Sequence, residues 1–509
     1  MYILEFFQAI VAVATPFKLA VLTSSVVLGI IFGALPGLTA TLAVALLSTV
    51  TFSYPTEVAI LALIGAYVGA VYGACHSAIL IGIPGTSAGA ATVLDGHKLA
   101  LKGLGGQAIA NATIGSAIGT ILGLVAILAV MPLMTSLALE FTSIEFFLLA
   151  IFGVLICGSL TTEDLPAKGW ISGILGLLIA MIGIETIQGF SRFTFDIPQL
   201  AGGIDIVPVI LGAFAIPQII RALRDHDPGK VQMAKLNGVR PDWKLLAKCK
   251  GLITRSGLIG VGIGAIPGVG EDIAAWTSYD ATRRASNDPE SFGKGNMRGV
   301  IAPEVAANSC IGGAIIPVLT LAVPGSPPAA MLLGAMWMHG LRPGPMLAIE
   351  TPEIIPQMAA FLFWAAIAMA VCGLLMARLS VLVLRIPATI FMPIVAVFSV
   401  IGSYALGLNV FNVYLMFFFG VVVFFLEEMG YPVAPIVIGV ILGQMADVGL
   451  RRGLLVTHGD LMPFFTRPVA FVFVLLIIYA LVGQSAWARR LARSLFVRLR
   501  RPRAGTSGP

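Results

Sequence analysis

The sequence predicts an all-α polytopic membrane protein made of two inverted structural repeats, and three observations favour this fold class. First, 58% of the 509 residues are apolar and only 11% are charged, whereas soluble domains carry about 25% charged residues. Second, apolar runs near the roughly 18 residues that a membrane helix needs recur along the chain. Third, Pro-Gly pairs interrupt these runs at matching places in both halves. Each repeat is therefore expected to contain a re-entrant or broken helical hairpin and Pro-Gly-interrupted helices.

Charge and cysteine content exclude several other classes. The net charge of +6 is concentrated in a few loops and the C-terminal tail, as control of membrane topology requires, and does not indicate nucleic-acid binding. The cysteines have no CxxC or Cys/His spacing, so neither a disulfide framework nor a zinc site is expected. Glu5 precedes every Lys and Arg, so the chain start is interpreted as mature sequence without a cleaved signal peptide. No cofactor is expected.

The first membrane repeat is predicted over residues 1–222. Two short apolar arms, 17–35 and 38–52, flank Pro36-Gly37. A re-entrant hairpin fits both lengths, and two short crossings are the alternative. The remaining spans of this half are predicted at 57–83, 107–132, 144–160, 169–188 and 204–222.

A basic connector over residues 223–255 is predicted to separate the halves on the cytoplasmic side, and after it the pattern restarts. Pro36-Gly37 and Pro267-Gly268 are 231 residues apart, and Pro84-Gly85 and Pro324-Gly325 are 240 apart. Two motifs in the same order at nearly constant separation predict an internal duplication. The second repeat is predicted over 256–488, with late spans at 355–377, 388–407, 411–427, 432–448 and 466–486, before an Arg-rich cytoplasmic tail over 489–509.

Loop charges predict that the second repeat is inverted. The loop 53–57 after the first hairpin has no Lys or Arg, whereas its counterpart 283–298 has four. Cytoplasmic loops carry the excess of basic residues. The N-terminus is therefore expected outside and the C-terminus in the cytoplasm, although Arg451-Arg452 falls on the opposite side from this expectation.

The four Pro-Gly breaks are the strongest candidates for a binding site. A break frees backbone groups, which in a membrane must be buried in protein or line a wet cavity. Each new helical piece starts with free N–H groups and a positive dipole end, which favours an anion. A hard cation on the freed carbonyls and hydroxyls is the alternative, and simple kinking of packed helices is the third interpretation. The candidate substrate- and ion-binding residues are Pro36, Gly37, Thr39, Pro84, Gly85, Thr86, Ser87, Pro267, Gly268, Gly270, Glu271, Asp272, Asn308, Pro324, Gly325 and Ser326.

Polar side chains near the breaks add to this prediction. Glu271 and Asp272 are costly in a membrane, so they are expected to bind a cation or carry a proton, or else to pair with a helix dipole. Asn308, on one helical face with Glu304, is expected to offer its amide to substrate or ion, or to an interhelical hydrogen bond. Because glycine lacks a Cβ, Gly325 is expected to allow close approach of a substrate, and Gly325→Val is expected to leave most helix packing intact.

Three further polar residues are assigned structural roles. Asp95 is interpreted as a helix cap or loop anchor. The isolated residues His76 and His339 are expected to pack or to hydrogen-bond rather than to act as ligands.

Several functional classes are disfavoured by what the sequence lacks. It contains no GxxxxGK[ST] phosphate loop, so ATP hydrolysis on this chain is not expected. Ser87 and Ser326 stand beside glycines, as a nucleophile of an intramembrane hydrolase would, but no histidine follows in a matching place. We therefore expect no enzyme, and the paired breaks favour a carrier over a channel.

Four segments resemble the large membrane subunit of the bacterial tripartite tricarboxylate transporter family. They are GALPGLTATLAVALL (33–47), YGACHSAILIGIPGTSAGAATVLDGHKLALKG (72–103), GAIPGVGEDIAAW (264–276) and the stretch 287–345. Two positions depart from the family pattern. Ala74-Cys75-His76 replaces a GSx sequence, and Glu271-Asp272 replaces small residues.

The resemblance implies a secondary active transporter in the bacterial inner membrane, coupled to Na⁺ or H⁺. It implies a small four-helix membrane partner and a periplasmic solute-binding protein that delivers an organic carboxylate of the tricarboxylate or dicarboxylate type. A polytopic membrane enzyme, such as an intramembrane hydrolase, and a stand-alone ion-coupled carrier are the alternatives.

Overall fold

The computed structural model describes residues 2–162, 165–224, 236, 238–384, 388–405 and 407–483. These residues are mostly helical, apart from a pair of two-residue antiparallel strands, β1 (Gly183–Ile184) and β2 (Ser191–Arg192). The helices are α1 (Tyr2–Val13), α2 (Pro16–Ala34), α3 (Ala40–Val50), α4 (Thr56–Leu80), α5 (Ala90–Leu101), α6 (Gly105–Leu139), α7 (Ser143–Leu160), α8 (Pro166–Ala180), α9 (Ile206–Arg224), α10 (Trp243–Lys248), α11 (Lys250–Gly264), α12 (Gly270–Arg284), α13 (Arg298–Leu321), α14 (Pro327–Met338), α15 (Leu347–Glu350), α16 (Ile354–Val383), α17 (Ala388–Ala405), α18 (Val410–Glu428), α19 (Val433–Val456), α20 (Pro463–Thr466) and α21 (Pro468–Gly483).

Within the described ranges, nine helices are long and apolar enough to cross a membrane: α2, α4, α6, α7, α9, α13, α16, α18 and α19. The predicted class of all-α polytopic membrane protein is therefore confirmed. One predicted span differs, because α8 ends at Ala180 and β1 follows where 169–188 was expected to stay helical. Much of the predicted connector and the Arg-rich tail lie outside the described residues.

Pro36-Gly37 and Pro267-Gly268 each separate two helices, and we call the pairs α2–α3 and α11–α12 the first and second hairpins. In the first, α2 ends at Ala34 and α3 begins after Thr39, whose hydroxyl accepts a hydrogen bond from Leu42 N at 3.1 Å and so caps the new helix. In the second, α11 ends at Gly264 and α12 begins at Gly270. The backbone turns at Gly37 (φ +89°) and Gly268 (φ +73°), in the left-handed region that glycine adopts without steric cost.

Each of these hairpins is followed by a long helix on which its first arm packs, α2 on α4 and α11 on α13. The contacts are between backbones. A Cβ at Gly33 would lie 2.0 Å from the Ala70 carbonyl oxygen, and one at Gly264 would lie 2.4 Å from the Cys310 carbonyl oxygen. Small residues permit this approach, as is common between membrane helices. Gly33 and Gly264 are 231 residues apart and Ala70 and Cys310 are 240 apart, the same separations as the Pro-Gly motifs.

The central helices α4 and α13 are buried by helices from both halves of the chain. The helix α6 packs along α13, and α16 packs along α4. Every residue in the most apolar window of α4 is buried, and 94% of that of α13. Pro324 and Gly325, which follow α13, are buried, whereas the segment after α4 contains the exposed Ile83 and becomes buried at Gly85.

Candidate functional site

We call Pro84-Gly85, after α4, the first break and Pro324-Gly325, after α13, the second break. The second hairpin and the second break are joined through their backbones. Gly268 N donates to Pro324 O and Gly270 N donates to Gly325 O, each at 3.1 Å. Gly325 also approaches the end of α11, since an added Cβ would lie 2.0 Å from Gly264 O. These contacts satisfy backbone groups that the breaks free, and they fix the start of α12 beside the start of α14.

The first break lies against both hairpins. An added Cβ at Gly85 would lie 1.8 Å from the Gly33 carbonyl oxygen, so this break contacts the end of α2. A 3₁₀ turn, Ser87–Gly89, then leads into α5, and α12 packs against that turn. The start of α12 thus contacts both breaks.

Glu271 lies at this meeting point. It is 4% exposed and accepts a hydrogen bond from the Tyr67 hydroxyl of α4. The same hydroxyl lies 2.6 Å from Ser326 Oγ at the second break. The ion pairs found among the described residues involve other carboxylates. A buried carboxylate with only neutral partners is favourable when it binds a proton or a cation.

The neighbouring Asp272 faces the first break. Its side chain is half-buried and lies near the Ser87 hydroxyl. Glu271 therefore contacts the second break, and the adjacent Asp272 lies near the first. Two carboxylates this close repel each other unless a proton or a cation lies with them.

Two predicted site residues carry buried polar atoms without a hydrogen-bond partner among the described residues, Thr86 Oγ1 and Asn308 Oδ1. The Asn308 amide nitrogen donates to Glu304 O at 3.1 Å, so its oxygen is the atom left to accept. Buried polar atoms are nearly always satisfied in folded proteins, by ligands or water if not by protein. The Thr86 hydroxyl can donate to an anion, whereas Asn308 Oδ1 suits a cation.

The two breaks differ in the donors they offer. The helix α14 begins with Pro327 and Pro328, which have no N–H group, and Ser326 Oγ accepts the hydrogen bond of Ala329 N at 3.4 Å. Few free N–H groups remain there for an anion. The first break leads into the Ser87–Gly89 turn, which contains no proline. A substrate carboxylate would therefore find more backbone donors at the first break.

The tips of the two hairpins lie against different helices. Pro267 and Gly268 pack on α7, where an added Cβ at Gly268 would lie 2.5 Å from Cys157 Cβ. At Gly37 the nearest atom to an added Cβ is Gln218 Oε1 of α9, at 3.8 Å. Pro36, Gly37 and Thr39 thus form the turn of the first hairpin and make none of the hydrogen bonds described above between the second hairpin and the breaks.

Three residues near the site were not predicted: Tyr67, Thr92 and Ser116. The Thr92 hydroxyl donates to Glu304 Oε1 at 2.6 Å, and the Ser116 hydroxyl to Glu304 Oε2 at 3.1 Å. Glu304 is thereby a second carboxylate buried among neutral donors, one helical turn from Asn308. The available signal was a polar side chain within an apolar run, which alone does not tell which helix it faces.

The structural roles expected for two other residues are confirmed. Asp95 is a loop anchor, since it accepts hydrogen bonds from Tyr279 Oη (2.9 Å), Gly295 N (2.8 Å) and Asn296 N (2.7 Å). His76 is hydrogen-bonded through both ring nitrogens.

Comparison with known proteins identifies the family. Residues 19–438 match the model of the Tripartite tricarboxylate transporter TctA family. The chain is 34% identical over 457 residues, covering 90% of this chain and 91% of the relative, to an uncharacterized 52.8 kDa protein in the TAR-I ttuC' 3' region of Agrobacterium vitis. It is 32% identical over 208 residues, covering 41% and 86%, to an uncharacterized protein in the TAR-II ttuC' 3' region of the same organism. No solved structure matches significantly. The chain belongs to the Tripartite tricarboxylate transporter TctA family.

Proposed function

We propose that this chain is the large membrane subunit of a binding-protein-dependent, tripartite uptake system for an organic carboxylate, driven by a Na⁺ or H⁺ gradient across the bacterial inner membrane. Its partners would be a small four-helix membrane subunit and a periplasmic solute-binding protein. The observation that carries the proposal is the contact of Glu271 with Tyr67 and Ser326, which places a buried carboxylate at a helix break. An intramembrane hydrolase is less well supported, because His76 contacts Ser380 rather than Ser87 or Ser326.

In this proposal the ion and the substrate bind cooperatively. A substrate carboxylate at Gly85-Thr86-Ser87 would lie near Asp272, whose side chain is close to Ser87. Like charges at this distance repel. A proton or cation bound at Glu271 and Asp272 removes that repulsion, so each ligand raises the affinity for the other by the same factor. The hairpin tips at Pro36-Gly37 and Pro267-Gly268 would close the site.

Contacts between the ends of the helices support an inverted repeat. The Thr56 hydroxyl at the start of α4 donates to His339 O just after α14, at 3.4 Å. At the other end, Lys102 after α5 donates to Lys294 O in the loop before α13, at 2.6 Å. The start of α4 therefore lies beside the end of α14, and the end of α5 lies beside the start of α13. This arrangement supports an antiparallel orientation of α4 and α13. The recurring glycine contacts at separations of 231 and 240 residues support the duplication.

Arg451, one of the two basic residues that disagree with the charge count, belongs to a network of ion pairs. Arg451 Nε lies 2.9 Å from Asp447 Oδ1, and Arg192 binds Asp447 through two hydrogen bonds of 3.0 and 2.7 Å. Arg192 and Asp447 line a cavity of about 330 Å³ beside Trp337, at the end proposed to face the periplasm.

Cysteine labelling tests the topology. We expect Gln199→Cys, on the exposed loop between α8 and α9, to react with an impermeant maleimide in cells with a permeabilised outer membrane. Glu290→Cys, in the loop between α12 and α13, should react only after the inner membrane is opened. The native cysteines are buried, so they give a low background. Labelling of position 290 from outside would refute the inverted arrangement.

Uptake into proteoliposomes tests the proposed function. Vesicles containing this chain and its small membrane partner, supplied with a loaded binding protein, should accumulate carboxylate under an imposed Na⁺ or H⁺ gradient without ATP. Omission of the binding protein is the control, and it should abolish uptake. Uptake that requires ATP and ignores both gradients would contradict the proposal, and uptake that persists without the binding protein would support a stand-alone carrier.

A further inference from the structure

A buried polar cluster joins α4, α6 and α16 at a place that the candidate site does not include. It consists of His76 and Tyr72 on α4, Thr113 on α6 and Ser380 on α16, and each is at most 1% exposed. His76 Nδ1 contacts Ser380 Oγ, His76 Nε2 lies 2.8 Å from Tyr72 Oη, and Tyr72 Oη lies 2.7 Å from Thr113 Oγ1. We call these four residues the histidine cluster.

Both ends of the histidine cluster are fixed as donors to the backbone. The Ser380 hydroxyl donates to Met376 O at 2.9 Å, and the Thr113 hydroxyl donates to Ile109 O at 2.8 Å. A carbonyl oxygen only accepts, so neither hydroxyl has a proton left for its neighbour in the cluster. Ser380 Oγ must then accept from His76 Nδ1, and Thr113 Oγ1 must accept from the Tyr72 hydroxyl. Because the Tyr72 proton is used there, His76 Nε2 must also be a donor.

A count of protons gives the same result. The cluster makes five hydrogen bonds, each of which needs one proton. Ser380, Tyr72, Thr113 and a neutral imidazole together supply four. With a neutral ring, one contact brings two acceptors face to face without a proton between them. Such a contact is unfavourable in a buried, low-dielectric place.

We propose that the histidine cluster is a proton-binding site, in which His76 takes up one proton and becomes a double donor. The added proton bonds to a ring nitrogen, no other bond breaks, and all five hydrogen bonds are then satisfied. The binding of a proton at His76 follows from the hydrogen bonds of the cluster alone. The identification of H⁺ as a transported ion rests, in addition, on the proposed function.

The surroundings of His76 contain a carboxylate that can balance the added charge. Glu304 on α13 is close enough to interact electrostatically with both Tyr72 and Cys75. The Cys75 thiol brings its own proton and does not change the count. Burial opposes the imidazolium form, while two oxygen acceptors and a nearby carboxylate favour it.

The other titratable groups on the helices packed against α4 are placed differently. Asp95 on α5 is occupied by its three donors, and His97 on α5 contacts Ile79 O at 3.2 Å. Arg378 on α16 is exposed, and Lys18 on α2 pairs with Glu57 at 2.6 Å. On α13, Cys310 lies within electrostatic reach of Glu271 and Asp272. Glu304 is therefore the charged group best placed to respond to His76.

The position of the cluster suits a proton that is taken up and released during transport. His76 and Ser380 lie on helices from different halves of the chain, 304 residues apart. Any movement of α16 along α4 would separate them and remove the acceptor of Nδ1. The affinity for the proton would then fall, because the remaining contacts are satisfied by a neutral ring.

Nitrogen-15 NMR of the histidine side chains tests the proposal in the full chain reconstituted in lipid. The chain has five histidines, and His76→Gln identifies the resonance of His76. We expect the His76 ring to change from singly to doubly protonated as the pH is lowered from 8 to 5. Thr113→Val and Ser380→Ala each remove two of the five hydrogen bonds, those made by the hydroxyl at one end of the cluster. The neutral ring then satisfies the remaining contacts, so the titration midpoint should fall by about one pH unit, a tenfold weaker proton affinity.

Matched controls separate this effect from a general loss of packing. The Thr120 hydroxyl, also on α6 and buried, bonds to Ser116 O at 3.0 Å and to no other group in the described part of the chain, so Thr120→Val should leave the midpoint unchanged. Ser399→Ala on α17 is the corresponding control for Ser380→Ala. A His76 ring that stays singly protonated down to pH 5 would overturn the proposal. So would equal midpoints in Thr113→Val and the unsubstituted chain. The readout needs no substrate, so its failure leaves the proposed transport function standing.

Discussion

Gly325→Ala is expected to prevent the native packing of α14 against α11 and α13. An added Cβ would lie 2.0 Å from Gly264 O and 2.8 Å from Ala314 Cα, and both are backbone atoms that cannot rotate away. Overpacking of this kind costs about 1–3 kcal/mol, and more where the backbone must move. We expect a loss of monodisperse protein in detergent, or a large fall in its thermal unfolding midpoint. The earlier expectation that Gly325→Val would leave most packing intact is therefore wrong.

Two further glycines sharpen this test. Gly334→Ala, on the helix α14 that follows Gly325, places its Cβ 4.0 Å from the nearest neighbour, Val207 Cγ2, and should be tolerated. Gly85→Ala, at the first break, meets Gly33 O at 1.8 Å and should behave like Gly325→Ala. If Gly325→Ala unfolds at the same temperature as the unsubstituted protein, the close packing of the second break on the hairpin is incorrect.

Glu271→Gln should lower gradient-driven uptake by at least about tenfold, which corresponds to 1.4 kcal/mol of lost ion binding. Glutamine still accepts the hydrogen bond of the Tyr67 hydroxyl, so the local packing should persist. The glutamine side chain cannot take up a proton near neutral pH, and it binds a cation more weakly than a carboxylate does. The measurement is initial uptake in proteoliposomes under matched Na⁺ and H⁺ gradients, with the unfolding midpoint recorded alongside.

Glu290→Gln provides the control for the change in charge, because this residue is exposed in the loop between α12 and α13. It should leave uptake unaffected. Uptake by Glu271→Gln at the normal rate and with the normal dependence on the gradient would show that Glu271 does not bind the coupling ion.

The sequence predicts where the chain breaks much better than which side chains meet there. Pro and Gly act locally, through a missing N–H and a missing Cβ, so Pro36-Gly37 and Pro267-Gly268 could be located without any tertiary information. Tyr67 and Glu271 are 204 residues apart, and no local pattern tells which face of α4 meets the second hairpin. Periodicity fails for α4 in particular, because a helix that is apolar on all sides has no distinguishable buried face.

The sequence also contains a local signal that distinguishes the two breaks. The pair Pro327-Pro328 is visible in the sequence and removes two N–H groups from the start of α14, so the two breaks could have been distinguished as anion sites from sequence alone. The end of α8 at Ala180 was harder to predict, since the apolar residues of 181–188 continue into a loop with paired strands rather than into the helix.

The burial of α4 by α13 and α16 has a consequence for how the chain is synthesised. The partner of Tyr67 on α12 is made 204 residues later, and the Ser380 partner of His76 follows 304 residues later. At roughly 5–20 residues per second, a nascent α4 waits about 15–60 s in the bilayer with its histidine and tyrosines facing lipid or transient neighbours. Insertion of α4 thus precedes, by many seconds, the helices that shelter it. A chaperone or the translocon that holds α4 during this interval would raise the yield of folded protein, and truncation before α16 would leave α4 without its natural cover.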